Sequence, residues 1–361
     1  MEMVEQIENL LIVNDEPEFS VSDDTKVSAE FFILCEENAQ NELSKDVFDC
    51  KLCGMSILNW VVRSCLSQPK VLRVEIGANA LDAIRPYISR DVDYSVVLYG
   101  STPLLNRTHI QDLLGFISRK GLNACKLKKG YVVKNDFLRV NNKIFSIDTY
   151  DFSSNDFFEV KSHDDLAYAR EILSEKIMSY HRKNGVYFEN EKNLSIDANT
   201  DIGFACEIFS NATIANGTKM GEHTLVGKNA TIYGSKIGNN VKLGVQTTVI
   251  NSIIKDGALV ENGAYVINSV IGENSRVGWS SKIVESSVKD NSVIERLVLA
   301  DNARIGEKCV IRKNCELVGI KNKVVIGNGT EIGAKSNIID STVGANNNIP
   351  PVTMIKGKVA K

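Results

Sequence analysis

Seven apolar residues, Ile196, Ile202, Ile208, Ile214, Met220, Val226 and Ile232, follow one another at intervals of six without a break. A period of six matches neither the 3.6-residue turn of a helix nor the alternation of one long strand, so the repeat itself is the structural unit. Glycine often follows the apolar residue, as in Ile202-Gly203, Met220-Gly221, Val226-Gly227, Ile237-Gly238 and Leu243-Gly244. With slips, the same pair recurs at Ile271-Gly272, Val277-Gly278, Ile305-Gly306, Ile326-Gly327, Ile332-Gly333 and Val343-Gly344.

One large aliphatic in six, flanked by small residues and by Asn, Gly and Asp, builds a prism with three short parallel strands per coil. The aliphatic points inward, and glycine or Asn carries the backbone round each corner where a positive φ is needed. These residues resemble the hexapeptide-repeat, left-handed β-helix family, and the handedness comes from that resemblance. The stretch from Leu194 to Asn348 is long enough for roughly eight or nine coils. The ending from Ile349, IPPVTMIKGKVAK, resembles the PPxTxxxGxPAK exit of such proteins. Irregular steps near Ile254 and Leu299 read as short loops or five-residue turns, and Trp279, Tyr265 and Ile294 as outward interface residues or as core. Hexapeptide proteins often act as trimeric acyltransferases with a histidine base. The repeat region carries one histidine, His223, which reads as an edge residue or as that base.

Upstream, apolar strands alternate with helical stretches. Phe31–Cys35, Val71–Ile76 and Asp93–Gly100 read as strands, with an amphipathic helix at Ile57–Val62 and a second helix at Ala80–Ile84. This alternation argues for a mostly parallel α/β sheet with ligands at the strand carboxyl ends. At VVLYGSTPLL, residues 96–105, the chain resembles the xVLYGDxPLL segment of sugar-1-phosphate nucleotidyltransferases. Within that group it resembles the bifunctional N-acetylglucosamine-1-phosphate uridylyltransferase/glucosamine-1-phosphate acetyltransferase family. KLCGMSILNWVV from Lys51 is similar to that family's IAGKPMLxHVI stretch, and the helix opening EVKSHDDLAYARE from Glu159 to its GVNNR join into the β-helix. The resemblance implies a truncated, Rossmann-like nucleotidyltransferase domain over 1–157, a connecting helix and linker over 158–193, and the β-helix over 194–361.

Departures from the family pattern fall on its chemistry. The family's LAAGxGTRM loop cradles a triphosphate with backbone N–H groups. Here Cys35-Glu36-Glu37-Asn38-Ala39-Gln40-Asn41-Glu42 keeps nearly the loop length with no glycine and three carboxylates, and Lys45 stands for the family lysine. Each like charge close to a polyanion costs on the order of 1–4 kcal/mol. The family's magnesium is held by an Asp and an Asn, which correspond to Ser101 and to Lys161 or Ser162; hydroxyl and ammonium make a poor set for that ion. Mg²⁺ is implied only if the transfer site works. The segment between Ser101 and Lys161 is about half the family's length, and the acetyltransferase His and NYDG loop do not occur after His223. By family position the substrate-binding candidates are Gly77, Gly100, Ser101, Thr102 and Gly130, with no catalytic residue assigned. Gly77 is either a remnant of the uracil-reading QLGTGHA segment or a strand–helix turn, and Gly130 a backbone contact or a turn glycine.

Composition narrows the partners. Lys+Arg 42 against Asp+Glu 45 gives a net charge of -3, with no basic excess to neutralise a nucleic acid. No apolar run approaches the roughly 18 residues that would span a membrane, and the acidic start MEMVEQIENLLIVNDEPEF is not a signal peptide. The 8 cysteines lack framework spacing, which suits a reducing cytoplasm. Cys50 and Cys53 form an isolated CxxC, without the second pair a zinc site needs. Three readings follow: a non-catalytic or weakly active relative in sugar-nucleotide and cell-envelope metabolism, an active nucleotidyltransferase with a metal site rebuilt from Glu36 or Glu37, and an acyltransferase using His223. A nucleotide-sugar ligand, protein partners and a homotrimer through the β-helix are the expected associations.

Overall fold

The computed structural model describes residues 27–37, 46–141, 148–150, 155–357 and 359–360. The loop acids and amides at 38–42, Lys45, and Lys358 and Lys361 of the exit sequence lie outside the described residues. Two compact units divide the chain at 1–175 and 176–361, so the division falls inside the long helix His163–Lys183.

In the first unit, β1 (Ala29–Glu37) is apolar on both faces, as a central parallel strand must be. Phe31, Ile33 and Cys35 join one core cluster, and Phe32 and Leu34 the other. A hairpin of β2 (Lys51–Leu52) and β3 (Met55–Ser56) turns through Cys53 and Gly54, with φ of 46° and 80°. Positive φ at both central residues is what a two-residue hairpin turn needs. Ser56 then caps α1 (Ile57–Ser64) by accepting from the Asn59 N–H.

Next come β4 (Lys70–Glu75), α2 (Ala80–Ile84), β5 (Tyr94–Tyr99) and α3 (Arg107–Lys120), then β6 (Ala124–Leu127), β7 (Gly130–Lys134), α4 (Asn135–Val140) and β8 (Asp148–Thr149). The sheet order is β4-β1-β5-β7-β6-β8; β4, β1 and β5 are parallel, and β7 is antiparallel to both its neighbours. The expected strands and helices are all present, with ends that coincide or shift by one or two residues.

The second unit is the parallel solenoid expected of the repeat: three sheets of ten strands each. It begins earlier than Leu194, because Tyr187–Phe188 already pairs with Glu207–Ile208. It also exceeds nine coils, with strands continuing to Met354–Lys356 and Val359–Ala360. All seven residues of the opening hexad series are buried. One stacked column runs Ile196, Ile214, Ile232, Val249, Val266, Ile283, Ala300, Leu317 and Ile338.

The slips have a local cause. The corner before Thr218 is turned by Asn216 and Gly217 together, both at positive φ, whereas the same corner in the next coils turns on Gly234, Asn251, Asn268, Glu285 or Asn302 alone. Losing one corner residue shortens the coil from eighteen to seventeen. A buried serine follows the corners at Gly234, Asn251, Asn268 and Glu285, and Ala303 follows Asn302. Ser252 Oγ donates to Ile250 O at 2.7 Å and accepts from the Ser269 N–H at 3.1 Å, and Ser269 and Ser286 repeat the pattern. These hydroxyls satisfy backbone groups the tight corner would otherwise leave unpaired. One coil is four residues longer, and the Asp340 carboxylate binds the extra loop by accepting from Ile320, Lys321 and Asn322 N–H at 2.7–3.0 Å.

The glycines after the apolar residues do a different job from the expected one. A Cβ on Gly227 or Gly278 would lie 2.6 Å from the carbonyl carbon of the coil stacked on it. Close coil stacking, and not corner φ, requires them. Ile294 is fully buried, while Trp279 and Tyr265 are 55% and 42% exposed.

Candidate functional site

From β1 the chain leaves through α1 to β4 on one side; from β5 it leaves through α3 to β6 on the other. The carboxyl ends of β1 and β5 therefore form the switch point at which open α/β sheets bind ligands. Glu36 stands at the end of β1 and Gly100-Ser101-Thr102 follow β5, with the Gly100 N–H donating to Leu34 O at 2.9 Å. Two further segments arrive there. The Val160 N–H donates to Ser101 O at 3.0 Å, which brings Glu159 and Lys161 alongside. The hairpin turn between β6 and β7 brings Lys129.

A charged cluster results. Lys129 Nζ lies 2.9 Å from Glu159 Oε1 and 3.8 Å from Glu36 Oε2, and 4.6 Å above the Tyr99 ring. Lys161 Nζ donates to Glu159 Oε2 at 2.9 Å, and Ser101 Oγ donates to Glu159 Oε1 at 3.2 Å. Two ammoniums thus balance two carboxylates. Burial would raise the Glu159 pKa, but the hydrogen bonds from Lys161 and Lys129 outweigh it and hold the carboxyl below its ordinary value. Lys161 is raised in turn, chiefly by its bond to Glu159. Tyr99 is pushed up by burial and then by the Glu36 charge. Leu34, Val47, Phe48, Tyr99 and Val160 close the recess, leaving a cavity of about 10 Å³, about enough for one water.

Of the five candidates, three gather at this point. Ser101 is the one whose side chain enters the cluster. Thr102 is fully buried and spends its hydroxyl on Tyr99 O at 2.8 Å, closing the turn after β5. Gly100 makes room for packing: a Cβ there would lie 2.9 Å from Cys35 Sγ and 3.1 Å from the Phe48 ring. Gly77 lies in the strand–helix turn after β4, at φ 76° with open space around it. Gly130 opens β7, where a Cβ would meet Val97 O at 2.3 Å, so the close strand approach requires glycine.

Sequence reading missed Lys129 and Glu159 as members of the cluster. The available signal was a lysine just before a hairpin glycine, next to a strand whose carboxyl end was already under suspicion.

The residues present do not fit the divalent cation that the nucleotidyltransferase resemblance implies. Mg²⁺ takes oxygen ligands in near-octahedral order. Here both Glu159 oxygens already accept from lysines, and two ammoniums stand where a cation would have to enter. Among the described residues, no group of three His, Cys, Asp or Glu side chains is placed to hold a metal ion. Cys50 precedes β2 and Cys53 lies in the β2–β3 turn, their thiols 3.7 Å from Asp46 O and 4.0 Å from Arg170 O.

In the solenoid, His223 is an exposed corner residue at φ 54°, edge-on to Phe204 with ring centroids 6.2 Å apart. It occupies the kind of position that Asn fills in other coils.

Fold and site together define a class: an α/β unit with a charged cluster at the switch point of its sheet, followed by a hexapeptide-repeat parallel β-helix. The chain is similar to proteins named bifunctional protein GlmU, which bears out the family resemblance of the motifs. The one from Alkaliphilus metalliredigens is 25% identical over 129 residues, 36% of this chain and 27% of that protein. Those from Clostridium beijerinckii and Streptococcus agalactiae are 37% and 33% identical over 102 and 95 residues, 28% and 26% of this chain. The matches to these two cover 22% and 20% of their lengths, so the similarity takes in about a quarter or less of each relative. No protein-family model matches. Among solved structures, the UDP-N-acetylglucosamine O-acyltransferase LpxA of Moraxella catarrhalis RH4 is 17% identical, covers 44% of this chain and 66% of its own, and has a TM-score of 0.25. The corresponding acyltransferase of Francisella novicida is 14% identical, with a TM-score of 0.20. Likeness at that level carries no argument about function. Among the described residues no helix is long and apolar enough to cross a membrane.

Proposed function

We propose that this protein is a cytoplasmic member of sugar-nucleotide metabolism, related to the GlmU proteins, that binds a nucleotide sugar such as UDP-N-acetylglucosamine and performs little or no transfer. One observation carries the reading: the switch-point site holds a lysine–carboxylate cluster in place of a set of metal ligands. Phosphoryl transfer with two anionic partners needs its developing charge neutralised, and a divalent metal is the usual means. Lys129 and Lys161 suit a diphosphate, but both are committed to Glu159. With about 10 Å³ free, the closed site excludes any nucleotide. Lys161, whose side chain is 55% exposed, is the group that would leave Glu159 and turn outward to admit one. The solenoid serves as the oligomerising half, and by resemblance to hexapeptide proteins the assembly is a homotrimer.

A purified full chain is expected to take up UDP-N-acetylglucosamine equally in Mg²⁺ and in EDTA, while releasing no pyrophosphate from any nucleoside triphosphate. Light scattering is expected to give about 120 kDa, three times the 39.8 kDa chain; a mass near one chain contradicts the trimer. A second reading, an active transferase with a rebuilt metal site, draws on Glu36 and Glu159 lining one recess. Pyrophosphate release abolished by Glu36→Ala supports that reading against the first.

A further inference from the structure

We infer that Lys129 takes the structural place of a divalent cation: its ammonium ties the end of β1 to the segment entering the long helix, and while it is present the site binds no divalent metal. The inference rests on the preceding reading for the identity of the site, and its test uses no nucleotide, so the two can fail separately.

Two carboxylates from segments over a hundred residues apart, Glu36 and Glu159, line one small recess, and both are largely shielded from water. Lining one recess and largely shielded from water, such charges repel unless a cation lies near both. Among the described residues Lys129 is the cation that pairs with both carboxylates, 2.9 Å from one and 3.8 Å from the other, with its own side chain 26% exposed. Lys161 reaches Glu159 from the solvent side.

The position of Lys129 is imposed by the backbone. Gly130 packs so tightly on Val97 O that no side chain fits there, which anchors the hairpin at the residue next to Lys129. Tyr99 supplies a ring face 4.6 Å from the ammonium, a further favourable contact for a cation and a wall of the recess. An ammonium offers a single charge and three donors, and demands no coordination number. It can therefore hold this pair of acids together with no ordered water shell and no octahedral vacancy for a metal to fill.

The test compares manganese binding, read from the electron paramagnetic resonance of free Mn²⁺, and melting temperature in Mn²⁺ or EDTA, for the full-length wild type and Lys129→Met. The wild type is expected to bind no manganese in the millimolar range and to melt identically in both buffers. Lys129→Met is expected to melt a few degrees lower in EDTA, to bind about one Mn²⁺, and to regain most of the loss with it. Lys129→Arg, which keeps the charge, is expected to stay blind to manganese. Stoichiometric manganese binding by the wild type overturns the inference, as does a folded Lys129→Met that gains no manganese site. Should Lys129→Met fail to fold, Lys129→Gln is read by the same two outcomes, and the wild-type titration stands as a test alone.

Discussion

Glu30 and Glu36 stand near opposite ends of strand β1, and the two live differently. Glu30, at the amino edge, is 8% exposed and accepts from five groups: Lys70 Nζ, Ser89 N–H and Oγ, and Asn135 Nδ2, each at 2.8 Å, with Ser95 Oγ at 3.4 Å. Glu36, at the carboxyl edge, faces one ammonium at 3.8 Å across a recess it shares with a second acid. Burial acting on Glu30 is outweighed by the Lys70, Ser89 and Asn135 bonds, so its pKa is lowered. The amino edge is saturated and fixes the sheet. The carboxyl edge is balanced in charge yet incompletely hydrogen-bonded, as a ligand site on a rigid scaffold should be.

Removing Glu30 breaks that contrast most severely. Glu30→Ala takes the 2.8 Å carboxylate acceptor away from the buried Asn135 amide, from Ser89 and from Lys70, and denaturant unfolding is expected to show a loss of about 3–5 kcal/mol. A loss below about 1 kcal/mol would mean that the amino edge is no more structural than the other.

Acid offers a second comparison, now with the solenoid unit. His181 is 3% exposed, its Nδ1 has no hydrogen-bond partner among the described residues, and burial lowers its pKa from 6.5 to about 4. The unfolded chain then binds the extra proton first, so stability is full above pH 6.5 and falls as pH drops toward 4. The loss should reach about 3 kcal/mol, and His181→Phe should flatten it. Glu30 and Glu159, also lowered, lose their contributions only as pH falls below the ordinary carboxyl value of 4.5. A wild-type stability curve that is flat between pH 6.5 and 4.5 contradicts the His181 assignment.

Gly130→Ala is expected to cost about 2 kcal/mol through steric strain at the hairpin and to raise the exposure of Lys129 to amine-reactive reagents. Unchanged labelling would show that the glycine does not anchor the lysine. Smallest of the four, Glu36→Gln should change stability by less than about 1 kcal/mol while weakening whatever the site binds.

These differences track what the sequence reveals. The solenoid was legible because each coil repeats one local rule, and even its slips are written locally, in Asn216-Gly217 giving way to Gly234 or Asn251 alone. Its glycines were visible but misread, since close stacking of Gly227 on Gly244 is a contact between coils and leaves no mark in neighbouring residues. The strands of the α/β unit were legible from their apolar runs. Its site was half legible: Ser101 sits in a motif, whereas Glu36, Lys129 and Glu159 meet only after the sheet has ordered itself. The same is true of Glu30, whose partners Lys70 and Asn135 lie 40 and 105 residues away. Neither periodicity nor a short motif encodes such meetings.

The most direct measurement is a calorimetric titration of the full chain with UDP-N-acetylglucosamine, run once in Mg²⁺ and once in EDTA. Equal binding in the two buffers is predicted, because lysines and not a metal meet the diphosphate. Binding that appears only with Mg²⁺, or no binding in either buffer, would contradict the account.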